Sequence, residues 1–367
     1  MSLCKQYSID RPLGGTLTFF GTSTDARSDL SGNCDPCASR RFHQAKVIDH
    51  MIQLLPKVVR NLLLRISDTE VSFARRGFEP SSLQPHLEEV GRSFLVGYHL
   101  ALDDATVFSH GTSISNGDPT YQGFVFEGAA MAFAITDSLS LRKRNQWQQF
   151  LDGVGAPHRY VVHVGLGWAY ARIPWYRRNP EKYMDRFDPL LKWLVLDGYG
   201  FHEGFFNWKK WLSSSNLQPP WSDQGKRVFD QGLGRSLWFV KGADVAKIAA
   251  VIESMHPSRR PDFWSGIGLA AAYAGDASCD EIESLVEASG NHRDYLAQGV
   301  TFGAEARELA DIQAEHTDRI CKIVCGMSAS DAAELTRSAK PTFPRKHSDY
   351  ETWRSNIRES LRSHVTT

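Results

Sequence analysis

Six polar residues recur through the middle of the chain at nearly even spacing: Glu127, His163, Asp197, Asp230, Ser265 and Gln298, separated by 36, 34, 33, 35 and 33 residues. Histidine changes charge near neutral pH and carboxyl groups give and take protons. A set of this kind turned toward one point does general acid–base work or holds a divalent metal. His99 and His202 lie in similar surroundings of glycine and aromatic residues, so His163, Glu127, Asp197, His202 and His99 are the candidate catalytic residues. Asp197, Asp230 and Ser265 also have a simpler account as helix N-caps that satisfy backbone donors. For Asp230 and Ser265 that account comes first. Glu127 and His163 make poor caps in apolar sequence, and for them capping and chemistry both stay open. His202 and Glu203 are adjacent, about 100° apart on a helix, so at most one of them faces inward. No His-Glu-x-x-His spacing occurs to specify a metal.

Other motifs point less far. Asp103-Asp104 is like the acidic pairs that hold magnesium and diphosphate in terpene cyclases, but without a second metal motif the plainer reading is a solvated helix end. Cys34-x-x-Cys37 is half a zinc site or a redox pair, and no second Cys-x-x-Cys accompanies it. No Gly-x-Gly-x-x-Gly, Walker loop or Gly-x-Ser-x-Gly elbow is present, which removes the common nucleotide-binding and hydrolase readings. The chain holds 10 Trp, 11 Tyr and 20 Phe, many of them beside the recurring polar residues. Most of these rings pack helix interfaces. Trp168, Tyr199 and Phe126, with Asp230 and Arg235 from the same segments, are the candidate substrate contacts. A cavity lined by such rings suits a long, apolar guest of the conjugated polyene kind.

What positions these residues is a repeat. The first glycines of six similar segments stand at 128, 165, 198, 232, 266 and 299, a period of 33 to 37 residues, which is the range of two-helix repeats. Asp244 followed by Val245, Ile248, Ala249 and Ile252 reads as a capped amphipathic helix. Ser278-x-x-Glu281 followed by Ile282, Leu285 and Val286 reads as a capping box and a second such helix. Each unit is thus expected to hold one glycine-led inner helix, apolar nearly all round, and one ordinary outer helix. Glycine costs a helix about 1 kcal/mol relative to alanine, so its repetition implies close helix approach or space for a ligand. The fold class is all-α, with two-helix repeats forming an α/α solenoid or a closed toroid.

Around this core the sequence divides into a low-order extension over residues 1–41, a helical-repeat domain over 42–338 that begins with an amphipathic helix from Phe42 to Ile66, and a tail over 339–367. In the tail, Trp353, Ile357 and Leu361 form the one apolar stripe. Lys and Arg total 42 and so do Asp and Glu, so the formal charge is zero, and the basic clusters are short and scattered. Nucleic acid is therefore not an expected partner. No apolar run approaches the ~20 residues that cross a bilayer, no secretion signal is evident, and six irregularly spaced cysteines fit a cytoplasmic location.

The segments Phe73-Ala74-Arg75-Arg76-Gly77-Phe78, Gly97-Tyr98-His99, Gly123-Phe124-Val125-Phe126-Glu127-Gly128, His158 through Ala169, Asp188-Pro189-Leu190-Leu191, Asp197 through Gly204 and Asp230 through Arg235 resemble the UnbL-type proteins. These are domain-of-unknown-function proteins found beside enediyne polyketide synthases and in other bacterial specialised-metabolite clusters. The resemblance runs from about Leu63 to Ser338 and implies a biosynthetic setting without supplying a reaction. The expectation is an enzyme or catalytic accessory acting on an apolar polyene-like molecule, whose cofactor, a divalent metal among the options, is unspecified. The alternative is a non-catalytic helical-repeat protein that docks a polyketide synthase or a membrane protein of the same cluster. A terpene-cyclase-like toroid stands behind both.

Overall fold

The computed structural model describes residues 64–110, 118–140, 144–342 and 349–365. The extension 1–41, with Cys34 and Cys37, and the helix expected from Phe42 to Ile66 as far as Leu63 lie outside the described residues, and at its expected end Arg65 and Ile66 are not helical. Among the described residues there are helices and no strand, in keeping with the all-α reading. The longer helices are α1 (Gln84–Asp103), α2 (Gln122–Ser138), α3 (Arg159–Arg172), α4 (Leu194–Phe206), α5 (Asp223–Val240), α6 (Val245–Ser254), α7 (Arg260–Tyr273), α8 (Cys279–Ser289), α9 (Arg293–Leu309), α10 (Ala329–Ser338) and α11 (Asp349–Val365).

Two kinds of helix follow from two kinds of sequence. In α4, every residue from Leu194 to Phe205 is buried, as expected for a helix enclosed on all sides, and α2, α3, α5, α7 and α9 are nearly as enclosed. The outer α6 and α8 each bury one stripe, Ile248 with Ile252 and Ile282 with Leu285. Their starts match the sequence signals. Asp244 accepts from the Lys247 amide, and Ser278 and Glu281 form a capping box. Among the described residues, full outer helices occur only in these later units. Between α2 and α3 and between α4 and α5 the return is made by short helices, Gln146–Asp152 and Trp208–Leu212.

The inner helices pack in chain order, each against the next, from α1 through α2, α3, α4, α5 and α7 to α9. Side-chain pairs show that neighbours run the same way: Asp197 meets Gln231 while Ser236 lies against Gly204 further along, and Ser265 meets Gln298 while Ala272 lies against Gly303. The contact that sets their spacing is a glycine on a carbonyl. Gly165 rests on the carbonyl oxygen of Glu127, Gly198 on that of Val164, Gly232 on Asp197, Gly266 on Gln231 and Gly299 on Ser265, and a Cβ at any of them would fall inside the oxygen's van der Waals shell. The glycines therefore stand in the middle of their helices and do not lead them, contrary to the sequence expectation. Absence of a side chain is needed for backbone approach, not for a turn.

The chain divides after Arg65, and the unit from Ile66 to Thr367 carries all of these contacts. The late helix α9 also meets α3 and the short turn Pro119–Tyr121 that leads into α2. The Tyr160 hydroxyl donates to Glu305 at 2.8 Å, and Arg307 donates to the Thr120 carbonyl at 3.2 Å. The segment set apart in sequence as a tail contains α11, whose Tyr350, Trp353, Arg354 and Ile357 are fully buried. Trp353 and Ile357 belong to the expected apolar stripe. Arg354 does not, and its burial is explained by partners: Asp262 at 2.6 Å, Gln298 at 3.2 Å and Glu351 at 3.1 Å.

Two outcomes test this packing. A Gly-to-Ala change inside a helix ordinarily gains about 0.5–1 kcal/mol, but Gly232→Ala should lose about 3 kcal/mol or more because its Cβ meets backbone. Denaturant unfolding measures the sign. Arg354→Met should cost about 3–5 kcal/mol by stripping a buried ion pair of one member, with thermal melts as the check.

Candidate functional site

Once the glycine contacts are in place, the residue just before each of these glycines is turned into the interior. Those residues are Val164, Asp197, Gln231, Ser265 and Gln298, and Glu127 stands likewise before Gly128, which rests on the Phe94 carbonyl oxygen of α1. Four of them form a hydrogen-bonded belt across successive helices. Gln231 Nε2 donates to Asp197 at 2.7 Å, and Ser265 Oγ donates to Gln231 Oε1 at 3.2 Å and to Gln298 Oε1 at 3.4 Å. Arg354 of α11 closes the belt on Gln298. All four are fully buried. A glutamine amide and a guanidinium do not pass protons along readily, so the belt holds geometry rather than conducting.

His163 and Asp230 stand one residue earlier in their segments, so they turn about 100° away to the outer side. His163 donates from Nδ1 to the Arg159 carbonyl at 2.7 Å and packs against Trp147 and Phe187. Burial pushes its pKa down and keeps it neutral, and its Nε2 has no partner among the described residues. Asp230 accepts two bonds from Arg259, at 2.6 and 3.0 Å, and one from Gln218 at 2.6 Å. Neither Asp230, Asp197 nor Ser265 is an N-cap: each lies within a helix, and capping is corrected to interior packing.

Two cavities lie between the inner helices. The first, the aromatic lobe, takes residues from α1, α2, α3, α4, α5 and α7, among them Phe94, Phe124, Glu127, Trp168, Phe201, Phe205, Arg235 and Tyr273. Its cavity volume is about 50 Å³, so it is a narrow slot. The second lobe, about 40 Å³, is lined by Tyr160, Val164, Asp197, Leu269, Phe302, Glu305 and Trp353, and it shares Arg235 and Tyr273 with the first.

Electrostatics distinguishes the acids here. Asp197 is ion-paired with Arg235, whose guanidinium also lies 4.9 Å over the Phe201 ring. Glu305 accepts from Tyr160 and from Arg337 at 2.8 Å, with Lys340 at 3.5 Å. Glu127 has one hydrogen bond, from Trp168 Nε1 at 2.9 Å, and no ion pair among the described residues. Burial, together with the negative charge of Asp197 and against the pull of Arg235, pushes its carboxyl up to about 7. A buried carboxyl that changes protonation near neutral pH, facing a ring-lined slot, is equipped for proton transfer.

The structure thus brings Glu127, Trp168, Arg235 and Asp197 to the lobes and places the other candidates elsewhere. His202 accepts from Arg172 Nε at 3.2 Å and packs on Phe206, and burial lowers its pKa to about 4. Its neighbour Glu203 accepts from Trp211 Nε1 at 2.8 Å and keeps its other oxygen 3.4 Å from His202 Nδ1. His99 is half-buried beside Tyr98 and lines neither lobe. Tyr199 packs on Trp221, and Phe126 on His158 and Phe150, both outside the lobes. Asp103 and Asp104 are exposed at the end of α1. Among the described residues no three His, Cys, Asp or Glu side chains gather as a metal site, and no helix is long and apolar enough to cross a membrane. Sequence reasoning missed Tyr273, Glu305, Gln231 and Trp353 as site residues. The position before the glycine was a signal for Gln231.

Titration of Glu127 has a stability consequence. With a folded-state pKa near 7 against an ordinary 4.5, the group's contribution is complete below pH 4.5 and is lost as pH rises to about 7. The unfolding free energy of the wild type minus that of Glu127→Gln should therefore fall over this window, by on the order of 3 kcal/mol, and stay flat above it. Urea unfolding at a series of pH values measures it.

No curated protein and no solved structure matches the chain. Its residues 55–361 match the family described as "Protein of unknown function (DUF1702)", and the chain belongs to that family.

Proposed function

We propose that this protein is an enzyme of specialised metabolism that binds an extended apolar molecule in the aromatic lobe and moves a proton on it with Glu127. The observation that carries the reading is the position of Glu127: one buried acid, titrating near neutral pH, facing a slot walled by Phe94, Trp168 and Phe201. As a carboxylate it removes a proton from a carbon activated by a conjugated carbonyl. As a carboxylic acid it returns that proton further along the conjugated system, which shifts a double bond or sets up ring closure. Arg235, fixed by Asp197, supplies positive potential beside the slot where negative charge develops on the substrate.

The likeness to UnbL-type proteins supports an enediyne-type polyketide pathway as the setting and a polyene as the substrate class. In this reading the inner helices close into an α/α barrel, an arrangement supported by the Tyr160–Glu305 and Arg307–Thr120 links. An inward-facing slot favours a small molecule over a docked synthase or membrane protein.

Replacing the acid by its amide keeps size and removes the proton. Glu127→Gln should melt within a few degrees of the wild type and lower product formation in a producing host by about 10²–10⁴-fold. His163→Gln, outside the lobes, should leave product levels unchanged. Normal product from Glu127→Gln contradicts the reading and moves the docking alternative to the front.

A further inference from the structure

The second lobe has no role in the proton transfer described above, yet its construction parallels that of the first. Both are mostly apolar and both are narrow. They touch at Arg235 and Tyr273, side chains that line the two lobes together. Glu127 lines the aromatic lobe together with these two shared side chains.

The charges that line the lobes also constrain the guest. Arg235 is the one cation lining either lobe among the described residues, and it is already paired with Asp197. Glu70, at the edge of the aromatic lobe, pairs with Arg75 and Arg76. Glu305 pairs with Arg337 and Lys340. An anionic guest would meet four acids and a single cation whose charge is already offset by Asp197. Burying a charge without a partner is costly.

We propose, building on the catalytic reading of the aromatic lobe, that the two lobes are one binding channel for a single elongated, uncharged molecule, with Glu127 facing its middle and Phe302 and Trp353 receiving its far end. Proton transfer then occurs at an internal position of the substrate, not at a terminus. Ala306 and Val161 line the second lobe alone, so enlarging either shortens the channel and leaves the aromatic lobe as it is.

Rigid neutral polyenes serve as rulers: diphenylbutadiene, diphenylhexatriene and diphenyloctatetraene, titrated into the full-length chain and followed by energy transfer from tryptophan. Affinity should rise roughly fivefold for each added two-carbon unit, within what burial of two carbons can supply. Ala306→Leu should hold the shortest rod as the wild type does and lose about tenfold or more on the longest. Carboxylate- or trimethylammonium-bearing diphenylhexatriene should bind more weakly than the neutral rod. If the leucine variant melts early, Val161→Phe makes the same test, and the length series on the wild type decides without either. Equal affinity for all three rods, or tighter binding of a charged one, overturns the channel while leaving the Glu127 reading to its own product assay. Failure of every rod to bind overturns both.

Discussion

A backbone carbonyl resting on a glycine of the next helix is the contact from which the rest of this structure follows. It draws the inner helices closer than side chains would allow and fixes their rotation about their own axes. With the glycine committed to its neighbour's backbone, the preceding residue must turn inward. That geometry makes Asp197, Gln231, Ser265 and Gln298 a continuous belt and places Glu127 in the aromatic lobe. The repeat is thus a packing device first, and the polar interior is its by-product.

An interior polar belt is stable only if nearly every group finds a partner. Asp197 has Arg235 and Gln231. Asp262, on α7, has Arg354 and Arg227, and α11 buries Arg354 and the Trp353 ring. Against this pairing Glu127 is the exception. A single indole N–H does not offset its burial, and the result is a carboxyl poised between its two protonation states. Its neighbours are held by arginines, whereas Glu127 is left to exchange a proton.

The glycine period, the all-α class and the caps at Asp244 and Ser278 were legible in the sequence because each rests on local rules of helix chemistry. The phase of the inner helices was not. A glycine in the middle of a helix and one at its start look alike when the reason for the glycine lies on another helix. That error of phase joined His163 and Asp230 to the belt, although one residue of offset turns them to the outer side. Gln231, in the register that matters, was passed over for its charged neighbour. Burial of Arg354 was equally hidden, because its partners Asp262 and Gln298 are distant in sequence and a charged C-terminal helix reads as solvated until they are seen beside it.

The central claim is that Glu127 is a buried carboxyl that changes protonation near neutral pH. Infrared difference spectroscopy of the full chain reads that state directly through the carbonyl stretch of a protonated carboxyl, as the wild-type spectrum minus that of Glu127→Gln. The account predicts a protonated-carboxyl band that disappears with a midpoint near pH 7. A difference spectrum with no such band, or one whose midpoint lies at the ordinary glutamate value of 4.5, would contradict it.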